Sequence, residues 1–124
     1  MFAHAAKVYR RVHLESAAPA RILDELLLRL LADMDDAARL LAAGDVAGKG
    51  IAISHALAIV GELQAALDPE ASPELCANLY RLYDFTIARL TDANLRVDPA
   101  PLLEARRVIA TLRDGFGQLA GTVR

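Results

Sequence analysis

The sequence predicts an all-α protein, an antiparallel up-down four-helix bundle with a short N-terminal segment or helix. The 124-residue chain is 55% hydrophobic but only 5% aromatic, and it contains no tryptophan, so its core must be aliphatic. Apolar residues recur at steps of three and four in four separate stretches. No stretch alternates apolar and polar residues as a half-buried strand would. We expect a single domain over residues 1–124.

Turn residues divide the chain into one short segment and four long ones, and they fall at 16–19, 44–45, 68–73 and 98–101. We expect an N-terminal cap segment over residues 1–15 and helices over 16–43, 45–67, 73–96 and 99–119. Gly44 is suited to end the first helix in a left-handed conformation, and Asp45 to cap the second. Asp98, followed by Pro99, is suited to begin the fourth.

Each long segment carries one apolar stripe. The face opposite the stripe is charged in the first helix, whereas in the second it carries Ser54, Glu62 and Ala65. Four such stripes joined by short turns satisfy one another best in an up-down-up-down bundle. Seven residues of the stripes are predicted to form the scaffold of the core: Leu23, Leu30, Leu57, Leu82, Leu90, Val108 and Leu112. Leu28 and Phe85 instead project from polar faces, either as isolated exposed residues or as parts of a binding surface.

Composition and charge exclude several classes of function. The net charge is −2 and the pI about 5.9, which argues against a nucleic-acid partner. Cys76 is the single cysteine, so no internal disulfide can form. The N-terminus lacks the apolar stretch of a secretory signal, and the uncharged run from Gly50 to Gly61 is shorter than a membrane span. We therefore expect a cytoplasmic protein without membrane insertion.

The sequence predicts no catalytic site, no metal site and no cofactor. No glutamate has a histidine three residues later, as carboxylate-bridged metal bundles require. The cluster Asp33, Asp35 and Asp36 is interpreted as a solvated acidic face. The alternative function is that of a histidine phosphotransfer domain, a four-helix bundle with an exposed histidine in mid-helix, with His55 as the phosphate carrier. The stretch from His55 to Leu57, followed by Gly61, is loosely similar to the motif of such domains, but Ala58 and Ile59 replace its lysine and glycine.

The third segment resembles the signature stretch of the flagellar secretion chaperone family, FliS. Residues 78–94 read NLYRLYDFTIARLTDAN, similar to the family pattern nLxxLYdYmxxrLxxAN. The matching residues are Asn78, Leu79, Leu82, Tyr83, Asp84, Arg89, Leu90, Ala93 and Asn94. Tyr9 before LESAAP at 14–19, the stretch 63–68 and the last helix are similar to further family elements in the same order. The resemblance thus covers nearly the whole chain.

The chain also departs from the family pattern at four places, one of which is Ala18, where a hydroxyl residue would cap the first helix. The family's mLYDGai is LLLRL at 26–30, a glycine pair is replaced by Ser72-Pro73, and Phe116 stands near the usual tryptophan. These departures indicate a divergent member.

The resemblance implies a chaperone that binds the disordered C-terminal segment of flagellin in the cytoplasm and prevents premature polymerisation. It also implies delivery to the flagellar type III export apparatus, with an export-gate protein and flagellar regulatory proteins as further partners. We expect a monomer or weak homodimer. The N-terminal segment either covers a binding groove until the client arrives or is a frayed terminus. The client-binding candidates are apolar residues thought to have no part in the core: Phe2, Tyr9, Val12, Leu28, Tyr80 and Phe85.

Overall fold

The structure, a computed structural model, describes Tyr9 and residues 19–122, and the side chains of Tyr9 and residues 21–116. It contains four helices: α1 (Pro19–Ala42), α2 (Val46–Ala65), α3 (Pro73–Arg96) and α4 (Pro99–Thr122). The described residues form no β-strand, only an isolated antiparallel bridge between Tyr9 and Leu67. The predicted all-α fold class is confirmed.

The four helices form a closed ring in which each helix packs against two neighbours. α1 packs on α2, α2 on α3, α3 on α4, and α4 on α1. Ion pairs from Asp24 to Arg113 and from Asp35 to Arg106 show that α1 and α4 run in opposite directions. Four grooves, here called seams, follow the lines where neighbouring helices meet. The turns α1–α2 and α3–α4 lie at one end of the bundle, and the α2–α3 connection lies at the other.

The α1–α2 turn confirms two predictions about its residues. Gly44 has a φ of +77°, the left-handed conformation that glycine adopts at no steric cost. The backbone N–H of Gly48 donates to Oδ1 of Asp45 over 2.8 Å, so Asp45 caps α2. A Cβ on residue 48 would lie 2.6 Å from Oδ2 of Asp45. Glycine at 48 therefore makes room for the cap.

The α3–α4 turn closes without a glycine. Val97 ends α3 with a φ of 53°, a conformation that is rare for β-branched residues and costs about 1–2 kcal/mol. Its N–H bonds the carbonyl of Ala93, and the N–H of Ala100 donates to Oδ1 of Asp98 over 3.0 Å. The predicted cap at Asp98 is confirmed, whereas the strained Val97 is not evident from the sequence.

The core is largely aliphatic, as predicted, with two tyrosines and Phe116 added to it. Three of the seven predicted scaffold residues are fully buried: Leu23, Leu30 and Leu90. The other four are only partly buried, because they lie toward the edges of their stripes: Leu57, Leu82, Val108 and Leu112. Tyr9 and Tyr83 are the two buried tyrosines.

α2 is apolar around most of its circumference, and its only charged residues are Lys49 and Glu62. Among the described residues it is the one helix long and apolar enough to cross a membrane, judged by length and composition alone. α2 packs between α1 and α3 and buries Ile53, Val60 and Leu63. Its place in the shared core accounts for part of the apolar composition, but Val46 and Ile51 on the same helix are exposed by 61% and 59%.

Asp33 on α1 has a buried carboxylate oxygen, Oδ2, that accepts no hydrogen bond from the part of the chain that the structure describes. Burial raises the pKa of this carboxyl, although His55 and Arg29 act to lower it. An asparagine keeps the shape and removes the charge. We expect Asp33→Asn to raise the free energy of unfolding by about 0.5–1 kcal/mol at pH 7, measured by urea denaturation.

The pH dependence gives the control for this prediction. The folded state raises the pKa of Asp33 above its usual 3.8, so below that pH the carboxyl is protonated and costs no stability. The loss of stability caused by the Asp33 charge grows as the pH rises. Wild type and Asp33→Asn should therefore converge in stability near pH 3, whereas Glu25→Gln, at an exposed position of the same helix, should show no gain at pH 7. Equal stability of Asp33→Asn and wild type at pH 7 would contradict the interpretation.

Candidate functional site

The six predicted site residues do not share one environment. Phe2 and Val12 lie outside the described residues. Leu28, Tyr80 and Phe85 are exposed by 44%, 51% and 44%, whereas Tyr9 is exposed by only 3%. The three exposed residues therefore remain candidates for contact with a partner, and Tyr9 needs a separate explanation.

Tyr9 packs into the core near the α2–α3 end of the bundle. Its hydroxyl shares a hydrogen bond with the hydroxyl of Tyr83 on α3, and its backbone forms the bridge to Leu67. Burial, above all, raises the pKa of Tyr9 and also the pKa of Tyr83, so both phenols are held in the neutral form. The expectation that Tyr9 has no part in the core is wrong. The Tyr9 ring is buried in the core, and the Tyr83 hydroxyl satisfies its one polar group. Its contact with a client stays a prediction.

Tyr80 lies on the seam between α2 and α3. Nε2 of Gln64 on α2 donates to the backbone carbonyl of Tyr80 over 3.2 Å and to Oδ1 of Asp84 over 2.8 Å. These bonds hold the two helices together beside Tyr80 and leave its ring facing solvent. Tyr80 also lines an open surface pocket near the α2–α3 connection.

Phe85 lies on the seam between α3 and α4. The guanidinium of Arg89 sits 6.0 Å from the centre of the Phe85 ring, a cation–π contact at its outer limit. Arg89 also pairs with Asp92 on α3 and, at 3.9 Å, with Glu104 on α4. The network crosses the seam without covering the Phe85 ring.

Leu28 lies on the seam between α1 and α4, between two ion pairs. Nε of Arg113 is 2.7 Å from Oδ1 of Asp24, and Nε of Arg106 is 2.6 Å from Oδ1 of Asp35. Asp24, Leu28 and Asp35 follow one face of α1, because their spacings of four and seven residues return to nearly the same direction. Leu28 is thus an exposed aliphatic side chain framed by charged pairs.

The three exposed candidates therefore occupy three different seams and form no single patch. Tyr80 and Phe85 lie five residues apart on α3, a rotation of about 140° around the helix axis. Five other large apolar residues are also exposed by half or more, and sequence reasoning did not select them: Val46, Ile51, Leu95, Val97 and Leu103. Their exposure could have been predicted from the sequence, because each lies outside the apolar stripe of its helix or in a turn.

The structure leaves the phosphotransfer alternative without further support. His55 has an exposed side chain on α2, as that function requires, but so do ordinary surface histidines. Within residues 21–116 and Tyr9, no group of three or more His, Cys, Asp or Glu side chains could hold a metal ion.

A four-helix bundle with exposed apolar side chains on several seams places the chain in the class of small helical bundle proteins, a fold that many functions share. Known proteins narrow this class. The model of the family described as flagellar protein FliS matches residues 1–123 of the chain.

Individual members of that family match over most of their length. The flagellar secretion chaperone FliS of Salmonella typhimurium is 36% identical over 119 residues, covering 92% of this chain and 88% of its own. The flagellar secretion chaperone FliSB of Pseudomonas aeruginosa is 34% identical over 116 residues, covering 90% and 92%. FliS of Escherichia coli is 29% identical over 119 residues, covering 92% and 88%. The chain belongs to the FliS family, as the resemblance of its third segment predicted.

Proposed function

We propose that this protein is a cytoplasmic export chaperone for flagellin. It binds the disordered C-terminal segment of flagellin, prevents premature polymerisation and aids delivery to the flagellar type III export apparatus. The observation that carries the proposal is the exposure of Leu28, Tyr80 and Phe85 on seams already held by polar contacts. The names of its relatives as flagellar secretion chaperones support it.

The geometry of the seams suggests how a disordered client would bind. A seam between two helices is a groove in which an amphipathic helix can lay its apolar face. Because the three exposed residues lie on separate seams, one straight client helix could not contact them all. A client that engages them would cross from seam to seam as several short segments. Ordering such a segment costs several kcal/mol of the contact energy, which keeps binding reversible.

Tyr9 is held at the α2–α3 end by the Tyr83 hydroxyl and the Leu67 backbone. We propose that the N-terminal segment covers part of the client surface and is displaced on binding. An export-gate protein and flagellar regulatory proteins are proposed as further partners.

The direct test uses the C-terminal segment of the flagellin from the same bacterium. Mixing it with the protein should give a 1:1 complex in size-exclusion chromatography and a helical content above the sum of the two components. Absence of a complex with every flagellin of that bacterium, together with transfer of phosphate to His55, would instead favour the phosphotransfer alternative.

Phe85→Ala is expected to raise the Kd for this segment about tenfold, because truncation of an aromatic anchor typically costs 1–2 kcal/mol of binding free energy. The melting temperature should change little, since the Phe85 ring is 44% exposed. Isothermal titration calorimetry and thermal denaturation measure the two quantities. Val46→Ala, at a 61% exposed position beside the α1–α2 turn, is the matched control and should bind like wild type. A Kd unchanged by Phe85→Ala would exclude this seam from the binding surface.

A further inference from the structure

An apolar pocket opens on the surface where the α2–α3 connection meets the start of α3. Its volume is about 380 Å³, and its lining residues are Pro69, Pro73, Cys76, Ala77, Tyr80 and Arg81. Cys76, exposed by only 6%, forms the floor, and Tyr80 and Arg81 are exposed at the rim. The volume lies near the lower end of the ~300–1,000 Å³ typical of ligand pockets and suits an apolar side chain or two.

The walls of this pocket are held in place before any partner binds. Pro69 and Pro73 have fixed φ angles. Between them, the N–H of Glu70 donates to Oδ1 of Asp68 over 3.1 Å, and the N–H of Ala71 donates to the carbonyl of Asp68 over 3.2 Å. The remaining lining residues stand on α3. A pre-formed pocket does not incur the ordering cost of an induced one.

Arg81 places a positive charge at the rim that no described carboxylate neutralises. Its guanidinium donates to the side-chain oxygen of Asn78, and no Asp or Glu of the described residues lies within 4.0 Å of its nitrogens. The nearby Asp84 is already bonded to Gln64. Since a guanidinium has five N–H donors, Arg81 retains most of its capacity to bind a carboxylate.

We propose that this pocket binds an apolar side chain of the client peptide while Arg81 binds a carboxylate of the same peptide. The two groups would lie within about one helical turn of each other, because Arg81 borders the pocket directly. The inference rests on the proposed function and adds the chemistry of the recognised element, an apolar residue paired with an acidic one. The apolar contact supplies affinity, and the charge pair supplies register and a dependence on salt.

The test measures the Kd of the flagellin C-terminal segment by calorimetry at low and high salt. Arg81→Gln should raise the Kd about fivefold at low salt and less at high salt, whereas Arg107→Gln, on the exposed face of α4, should change it less than twofold. Ala77→Leu should fill the pocket and raise the Kd at least tenfold, and Ala88→Leu, at an exposed position on α3, should not. The melting temperatures of all four variants serve as the folding check.

A second set of peptides identifies the carboxylate. Each acidic residue of the segment is replaced in turn by its amide. For one of these amide peptides, the Kd for wild type should rise by the same factor by which Arg81→Gln raises the Kd for the unchanged peptide. The Kd of Arg81→Gln for that amide peptide should rise no further, because the charge pair is already broken. No such coupling at any acidic residue would overturn the assignment to Arg81.

The outcomes separate this proposal from the proposed function. If wild type fails to bind any flagellin segment, both are overturned. If wild type binds and the variants Arg81→Gln and Ala77→Leu behave like their controls, only the pocket assignment is overturned. If these two variants change self-association in sedimentation instead of client affinity, the pocket belongs to a second copy of the chain and the proposal is also overturned.

Discussion

Tyr9→Ala is expected to lower the free energy of unfolding by about 3–4 kcal/mol, as for other large aromatic truncations in a core. The ring is only 3% exposed, and its removal also leaves the Tyr83 hydroxyl without its partner. Urea denaturation followed by circular dichroism measures the change. Tyr80→Ala, which truncates a 51% exposed tyrosine on α3, is the matched control and should cost less than about 1 kcal/mol.

The same tyrosine pair makes stability sensitive to alkali. The usual tyrosine pKa is 10.0, and burial raises the pKa of both Tyr9 and Tyr83 above it in the folded state. Unfolded chains lose these protons near pH 10 while the folded protein retains them, so stability is full below pH 10 and falls as the pH rises further. The slope for two such groups approaches ~2.7 kcal/mol per pH unit.

Phenylalanine substitutions separate the ring from its hydroxyl. Tyr9→Phe and Tyr83→Phe should each cost about 1–2 kcal/mol, and the double variant should cost less than the sum because no hydroxyl is left unpaired. The double variant should also lose the alkaline sensitivity. A stability of Tyr9→Ala within 1 kcal/mol of wild type would show that the Tyr9 side chain packs against the bundle without supporting it.

Lys49→Met is expected to lower the free energy of unfolding by about 2–3 kcal/mol. Nζ of Lys49, a residue only 3% exposed, donates to the backbone carbonyl of Asn94 over 3.0 Å and to its side-chain oxygen over 2.8 Å. Asn94 lies in the last turn of α3, where carbonyls have no partner within the helix and a positive charge is favourable. Methionine keeps the length of the side chain but leaves both oxygens of Asn94 without this donor.

The control for Lys49 is Arg107→Met, which removes one exposed charge from α4 and should change stability by less than 0.5 kcal/mol. Asn94→Ala should also be destabilising, and the double variant should show strong coupling with Lys49→Met, since both changes break the same bonds. A loss below 0.5 kcal/mol for Lys49→Met would contradict a structural role for this contact. Urea denaturation at pH 7 provides the measurement.

Sequence periodicity was sufficient to predict the four helices and the caps at Asp45 and Asp98, because these features depend on neighbours within a few residues. Two buried polar contacts were not predictable in this way. Tyr9 and Tyr83 are 74 residues apart, and Lys49 and Asn94 are 45 apart, so each pairing depends on how the helices meet. The burial of Lys49 was also not expected from its residue type, since lysine is rarely buried.

The candidate site was predictable only in part, for a related reason. Leu28 and Phe85 could be identified from their helices alone, because each departs from the apolar stripe around it. Their distribution over separate seams required the relative positions of the helices. The pocket beside Tyr80 combines a proline-containing connection with one face of α3, and no periodic pattern marks such a junction.

The arrangement of the tyrosines also gives the protein an intrinsic fluorescent probe. Without tryptophan, its near-ultraviolet emission comes from three tyrosines, and two of these are sealed in the interior. A dissolved quencher such as acrylamide should reach Tyr80 far more readily than Tyr9 or Tyr83. A peptide without tryptophan or tyrosine that shields this accessible fraction of the fluorescence would report its own arrival at the rim of the pocket.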